Sequence, residues 1–231
     1  MPKVALSKIA GVSAIMATMT LVPWFAFPFV APEIGINFPQ SPELADWAMF
    51  KVEHSTIIRT IDWLVIVSLM FETVAVIGFF YVLRAVGPLT WIGLAAWLTG
   101  LQLVIFEHVV VLGVDASLMP QYLSSSEISR PAIEVLASTL NRVRLTAAIV
   151  GNTLILGVAV PTFAVAALLS QRVPRWIAWL GIAVGVLKWL PLAYWPSPAF
   201  VGFMLWLVAM GIVWLRLPVE SSRDEAKVPS R

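Results

Sequence analysis

Each of the two histidines in the chain directly follows a glutamate, as Glu53-His54 in "MFKVEHSTIIRTID" and as Glu107-His108 in "LQLVIFEHVVVLGVD". The second pair interrupts a run that otherwise reads as a membrane helix. Ionisable groups in such a run are costly and normally face protein or a water-filled cavity. Two imidazoles on neighbouring antiparallel helices can ligate one haem iron, and a carboxylate beside each would also serve a harder metal. Adjacent helical residues diverge by about 100°, so only one of each pair can face a common centre with ease. The chain has no HExxH, no CxxCH and no second histidine on either segment, so haem or metal binding through His54 and His108 rests on ligand count alone.

Three carboxyls, Asp62, Glu72 and Glu107, lie within apolar segments and are candidate catalytic acids or bases for a lipophilic substrate. Nearby aromatic faces, Trp63 or Trp189, would stabilise a cationic intermediate. His54 and Glu72 are 18 residues apart and project in one direction if their helix is regular, with Asp62 about 80° to the side. Further on, Asn141, Arg144, Ala148 and Asn152 follow helical spacing as a polar stripe, and Lys188 follows the small residues Gly181 and Gly185. His54, His108, Arg144, Asn152 and Lys188 are therefore the candidate ligand-binding residues. Each has a plainer alternative: Lys188 with Glu72 as a buried ion pair, His54 solvated at a helix mouth, and Asn152 as an interhelical hydrogen bond.

The elements that must position these groups follow from composition. With 60% hydrophobic residues, 12% charged and a mean hydropathy of +0.90, the chain is too apolar for a soluble domain of its length. Segments near 7–30, 56–83, 89–113, 144–169, 176–195 and 199–217 each supply the roughly 20 apolar residues that a bilayer crossing needs. They are continuously apolar and lack the alternation of barrel strands. The expectation is an all-α, polytopic transmembrane bundle of six helices in one domain, 1–217, followed by a polar, disordered tail, 218–231. The first segment is longer than a signal-peptide core and no Ala-x-Ala site follows it, so it is read as a helix. Without cysteine there are no disulfides, thiolate metal sites or cysteine nucleophiles.

Lys3, Lys8, Arg84, Arg172, Arg175, Arg216, Arg223, Lys227 and Arg231 collect on one side, which places both termini in the cytoplasm. Lys51, Arg59, Arg130, Arg142 and Arg144 fall on the other side, among many acids. The net charge of +2 calls for no nucleic-acid partner. Two external segments depart from a minimal bundle. Residues 31–55 hold a short interfacial helix over "SPELADWAMFKVEH", with Trp47 at headgroup level. In 114–143, Pro131 suits the first turn of a helix that begins well outside the bilayer. Trp91, Trp176 and Trp195 sit at segment ends as interfacial anchors.

The stretches "SKIAGVSAI", "RTIDWLVIVSLMFETVAVIGFFYVLRAV" and "LLSQRVPRWIAWLGIAVGVL" resemble a bacterial family of six-helix integral membrane proteins of unknown function, over most of residues 7–190. That resemblance implies a six-helix fold in a bacterial cytoplasmic membrane. It supplies no catalytic residues, and Glu107-His108 is not part of its pattern.

The functional expectation is an outward-facing polar cavity that binds a small or lipophilic ligand, lined by the residues above. The alternatives are a membrane-embedded acid–base enzyme of isomerase or cyclase type, a haem or metal protein, a small transporter using breaks at Pro161 and Pro191, and an accessory subunit. Membrane lipids are partners in every case, and the small-residue faces suit a homo-oligomer or a partner subunit equally.

Overall fold

Helix is the only regular structure among residues 3–41, 43–190 and 198–216, which the computed structural model describes. Hydrocarbon offers backbone groups no water, so each apolar segment has to satisfy its own N–H and C=O groups. Helix α1 spans Lys3–Val30, and α2, Leu44–Glu53, follows a single 3-10 turn at Pro32–Ile34. α3 (Ser55–Leu83) and α4 (Pro88–Gly113) form a hairpin. Gly87 turns it at φ 95°, where a side chain would be strained, and Pro88 opens α4 at a position that needs no N–H.

α4 does not end at Gly113. A π-helical turn, Val114–Leu118, carries it into α5, Met119–Ser124. In the same way α6 (Arg130–Asn152) passes through a π-helical stretch, Thr153–Ala159, into α7 (Val160–Ser170). The cause of the second widening is legible in Pro161, which has no N–H for the Gly157 carbonyl one turn earlier. That carbonyl is satisfied from another helix instead: Trp189 Nε1 donates to Gly157 O at 3.0 Å. Trp189 closes α8 (Arg175–Trp189), and α9 covers Pro198–Arg216.

Among the described residues, five helical spans are long and apolar enough to cross a membrane: Leu6–Val30, Ser55–Val86, Pro88–Ser124, Arg130–Ser170 and Pro198–Arg216. The chain is a multi-pass membrane protein by that measure. The expected sixth span, 176–195, is not among them. The 15 residues of α8 rise about 22 Å, short of a hydrocarbon core of about 30 Å. Residues 191–195 lie outside the described residues, as do Pro191, Trp195, residue 217 and the tail 218–231.

Small residues set how the helices meet. Ala10 of α1 fills the place of a side chain at Gly78 of α3, and Gly11 lies against the Gly211 carbonyl of α9. Ser68 Oγ donates across the same contact to the Ala17 carbonyl, 2.7 Å away. At the centre, Phe79, Trp97, Phe163, Trp206 and Trp214 are fully buried against one another. A second, smaller core lies at the other end of α4. There Ala48 of α2, Met119 and Tyr122 of α5 and Ala137 of α6 are buried together, with Leu44, Val114 and Ile133 around them. Residues from 31–55 and 114–143 thus pack into one cap at that end of the bundle.

Candidate functional site

The site begins with a close helix crossing. A Cβ added at Gly100 would stand 2.7 Å from the Gly151 carbonyl, and one at Gly151 would stand 2.8 Å from the Gly100 carbonyl. α4 and α6 therefore touch backbone to backbone, as two paired small residues allow. Seven residues outward from each glycine, about 10 Å along each helix, the chain places Glu107 and Arg144. The two meet: Arg144 Nη1 donates to Glu107 Oε1 at 3.4 Å, while Arg144 Nε donates to Asn141 Oδ1 at 2.8 Å.

One residue on, His108 turns to the opposite neighbour. Its Nδ1 lies 3.1 Å from Asp62 Oδ1 of α3, and both side chains are buried. The π-turn after α4 supplies a third pair, because the extra residue in each turn rotates Asp115 inward. Lys51 of α2 donates to Asp115 Oδ1 at 2.5 Å, and Arg59 Nη2 donates to the Asp115 carbonyl at 3.4 Å. One helix thus presents Glu107, His108 and Asp115 to α6, α3 and α2 in turn.

Two cavities border this cluster. The outer one, about 800 Å³, lies under the cap and is lined by Trp47, Lys51, Tyr122, Glu134, Asn141 and Arg144 among others. The inner one, about 50 Å³, lies within the bundle, where Glu72, Glu107, His108 and Asn152 meet the aromatic walls of Trp24, Phe200 and Phe203. The Arg144–Glu107 pair stands between them, with the arginine on the outer wall and the glutamate on the inner one. Glu72 is 2% exposed and its Oε2 has no hydrogen-bond partner among the described residues. The Trp97 indole lies beside this carboxyl, yet its Nε1 is also without a partner of good geometry.

Five of the expected site residues therefore gather around the inner cavity: Asp62 through His108, together with Glu72, Glu107, His108 and Asn152. Arg144 joins them from outside. Asn152 does not bridge helices; its Nδ2 donates to the Ala148 carbonyl of its own helix at 2.9 Å. His54 stands apart. The chain leaves helical geometry at His54, with φ −101° and ψ 20°, so α2 and α3 are separate helices and the phase drawn back from Glu72 stops at Ser55. Its ring packs edge-on against Phe50, 4.9 Å between centroids. His54 also precedes Asp62 by eight residues, about 12 Å of rise, whereas His108 is engaged with Asp62 itself. The two histidines do not share a centre.

Lys188 is not at the site either. Among the described residues no ion pair joins it to Glu72; it lies half-buried by Gly157, and the spaces at Gly181 and Gly185 are taken by Trp206, Ala164 and Pro161. Trp63 and Trp189 are exposed on the outside of the bundle, 58% and 65%, so the aromatic walls come from Trp24, Phe200 and Phe203 instead. Lys51, Arg59 and Asp115 were the functional groups that spacing alone did not single out. No group of three or more histidine or acidic side chains among the described residues is placed to hold a metal ion.

The chain matches no family model, no curated protein and no solved structure.

Proposed function

We propose that the protein binds a small or lipophilic ligand in the outer cavity and that the ligand carries an anionic group. The observation that carries this reading is which member of each ion pair faces the cavity. Lys51 and Arg144 line it and keep 26% and 29% of their side chains exposed, whereas their partners Asp115 and Glu107 keep 2% and 15% and do not line it. Where Lys51 and Arg144 stand, the floor offers cations whose counter-charges lie behind; Glu43 and Glu134 also line the cavity, and Glu134 accepts from the Tyr122 hydroxyl at 2.9 Å. Leu44, Ala45, Val114, Met119 and Ala137 give the same cavity an apolar wall, and its volume falls within the about 300–1,000 Å³ of small-molecule sites. A headgroup on Lys51 and Arg144 with a short chain against that wall satisfies both surfaces.

In this reading the cap lies on the external face of a bacterial cytoplasmic membrane and both termini are cytoplasmic. The Lys/Arg bias of the loops and the resemblance to a bacterial six-helix family support that placement, with 176–195 as the sixth crossing. Titration calorimetry on protein in neutral-lipid nanodiscs tests the ligand class. Decanoate and decyl phosphate are expected to bind saturably and decyltrimethylammonium not to. Lys51→Gln or Arg144→Gln should each weaken the anions about tenfold or more, the worth of one hydrogen bond to a charged group. Equal binding of the cationic amphiphile, or variants that bind like the parent, would overturn the assignment.

A second reading, acid–base catalysis, is favoured by the Asp62–His108 pair. A carboxylate on Nδ1 fixes the imidazole and leaves Nε2 as the working nitrogen, the arrangement of a positioned general base. Incubating a total lipid extract with wild-type protein is then expected to yield a new product by mass spectrometry that His108→Gln does not make. Identical spectra from the two proteins sink the catalytic reading and leave ligand binding standing.

A further inference from the structure

The inner cavity is separate from the ligand site under the cap, and we propose that it holds a small ammonium cation, either ammonium itself or a short primary alkylammonium. Glu72 is the first reason. It is almost fully buried, it lines the cavity, and its Oε2 has no partner among the described residues. A carboxyl left in that state is costly unless a donor or a cation completes it. The Trp97 indole lies beside the carboxyl without a hydrogen bond of good geometry, and no basic side chain among the described residues completes it, since Lys51 is committed to Asp115 and Arg144 to Glu107.

The other polar groups on the wall keep acceptors for a ligand. Asn152 uses one N–H of Nδ2 on the Ala148 carbonyl and keeps Oδ1 to accept. His108 uses Nδ1 on Asp62, and Glu107 brings a second carboxyl. The rest of the lining includes the rings of Trp24, Phe200 and Phe203, packed against one another with centroids 5.6 and 6.3 Å apart. Acceptors on one side and aromatic faces on the other are the complement of an N–H-bearing cation. Size agrees, because about 50 Å³ takes one or two waters at about 30 Å³ each, which is the room for ammonium or an ammonium head with one carbon. A coordinated metal ion fits less well, since the acidic and histidine side chains are not grouped as a metal site among the described residues.

The test is titration of nanodisc-embedded protein with methylammonium chloride at constant ionic strength, with sodium chloride and tetramethylammonium chloride in parallel. Methylammonium should bind saturably; sodium should not compete, and neither should the quaternary ion, which has no N–H to give. Glu72→Gln keeps the shape of the side chain and should weaken methylammonium about tenfold or more, with decanoate binding under the cap unchanged. Asn152→Leu, which fills the cavity from the other side, should also lose methylammonium. The absence of saturable methylammonium binding, competition by sodium at equal concentration, or Glu72→Gln and Asn152→Leu proteins that bind like the parent would each overturn the proposal. Because decanoate is read on the same samples, failure of this site and failure of the outer one are distinguishable.

Discussion

Gly151→Leu is expected to abolish the native bundle. A Cβ at this position meets the Gly100 carbonyl at 2.8 Å, Val104 Cγ2 at 2.9 Å and Leu103 Cβ at 3.1 Å. The first of these is backbone, which cannot step aside as the end of a flexible side chain can. The only relief is to move α6 away from α4. Overpacking ordinarily costs about 1–3 kcal/mol, but this displacement would also part Glu107 from Arg144 two turns away and open the lining of the inner cavity. We expect a loss beyond that range, more than about 3 kcal/mol. Thermal unfolding of the detergent-solubilised protein reads the effect, with Gly113→Leu as the control, since a Cβ there meets nothing within 4 Å. If the two variants unfold at the same temperature, the crossing does not set the register of the site.

That crossing also shows how far the sequence alone reaches. Composition and apolar runs are enough for the helical class and for most helix positions, because hydropathy over 20 residues is a strong signal. α3 and α4 begin within a residue of where the apolar pattern puts them. Pairing is harder, since it depends on which small residues face each other. Glu107 and Arg144 were both candidates by type, yet their contact follows only from Gly100 and Gly151 lying equally far inward. An antiparallel crossing at those two glycines brings Glu107 and Arg144 level with each other. Asp115 was harder still, because a regular α-helix ending at Gly113 puts it in a loop and only the π-turn carries it into the bundle. His54 failed in the opposite way. Helical phase carries over 18 residues only in an unbroken helix, and the break falls on that residue. Six against five spans turns on the 15 residues of α8.

Lys51→Met should be far more damaging than Asp115→Leu, although the two residues form a single pair. Removing the lysine leaves Asp115, 2% exposed, with an uncompensated charge; its Oδ2 already lacks a partner and Arg59 reaches only its backbone carbonyl. Loss of one partner from a buried pair costs about 3–5 kcal/mol, and the partial exposure of Lys51 argues for the lower end of that range. Removing the aspartate instead leaves a lysine that borders an 800 Å³ cavity and can swing its ammonium into it, so about 1 kcal/mol is expected. The double variant, Lys51→Met with Asp115→Leu, should return to within about 1 kcal/mol of the parent, because an apolar pair of similar volume replaces an ion pair at little cost. Unfolding free energies of the four proteins in mixed micelles close the cycle. Equal costs for the single variants that simply add in the double would mean that the pair is uncoupled. The aspartate would then not hold the lysine in place, and Lys51 would meet an anionic ligand as an ordinary solvated cation rather than as part of a prepared floor.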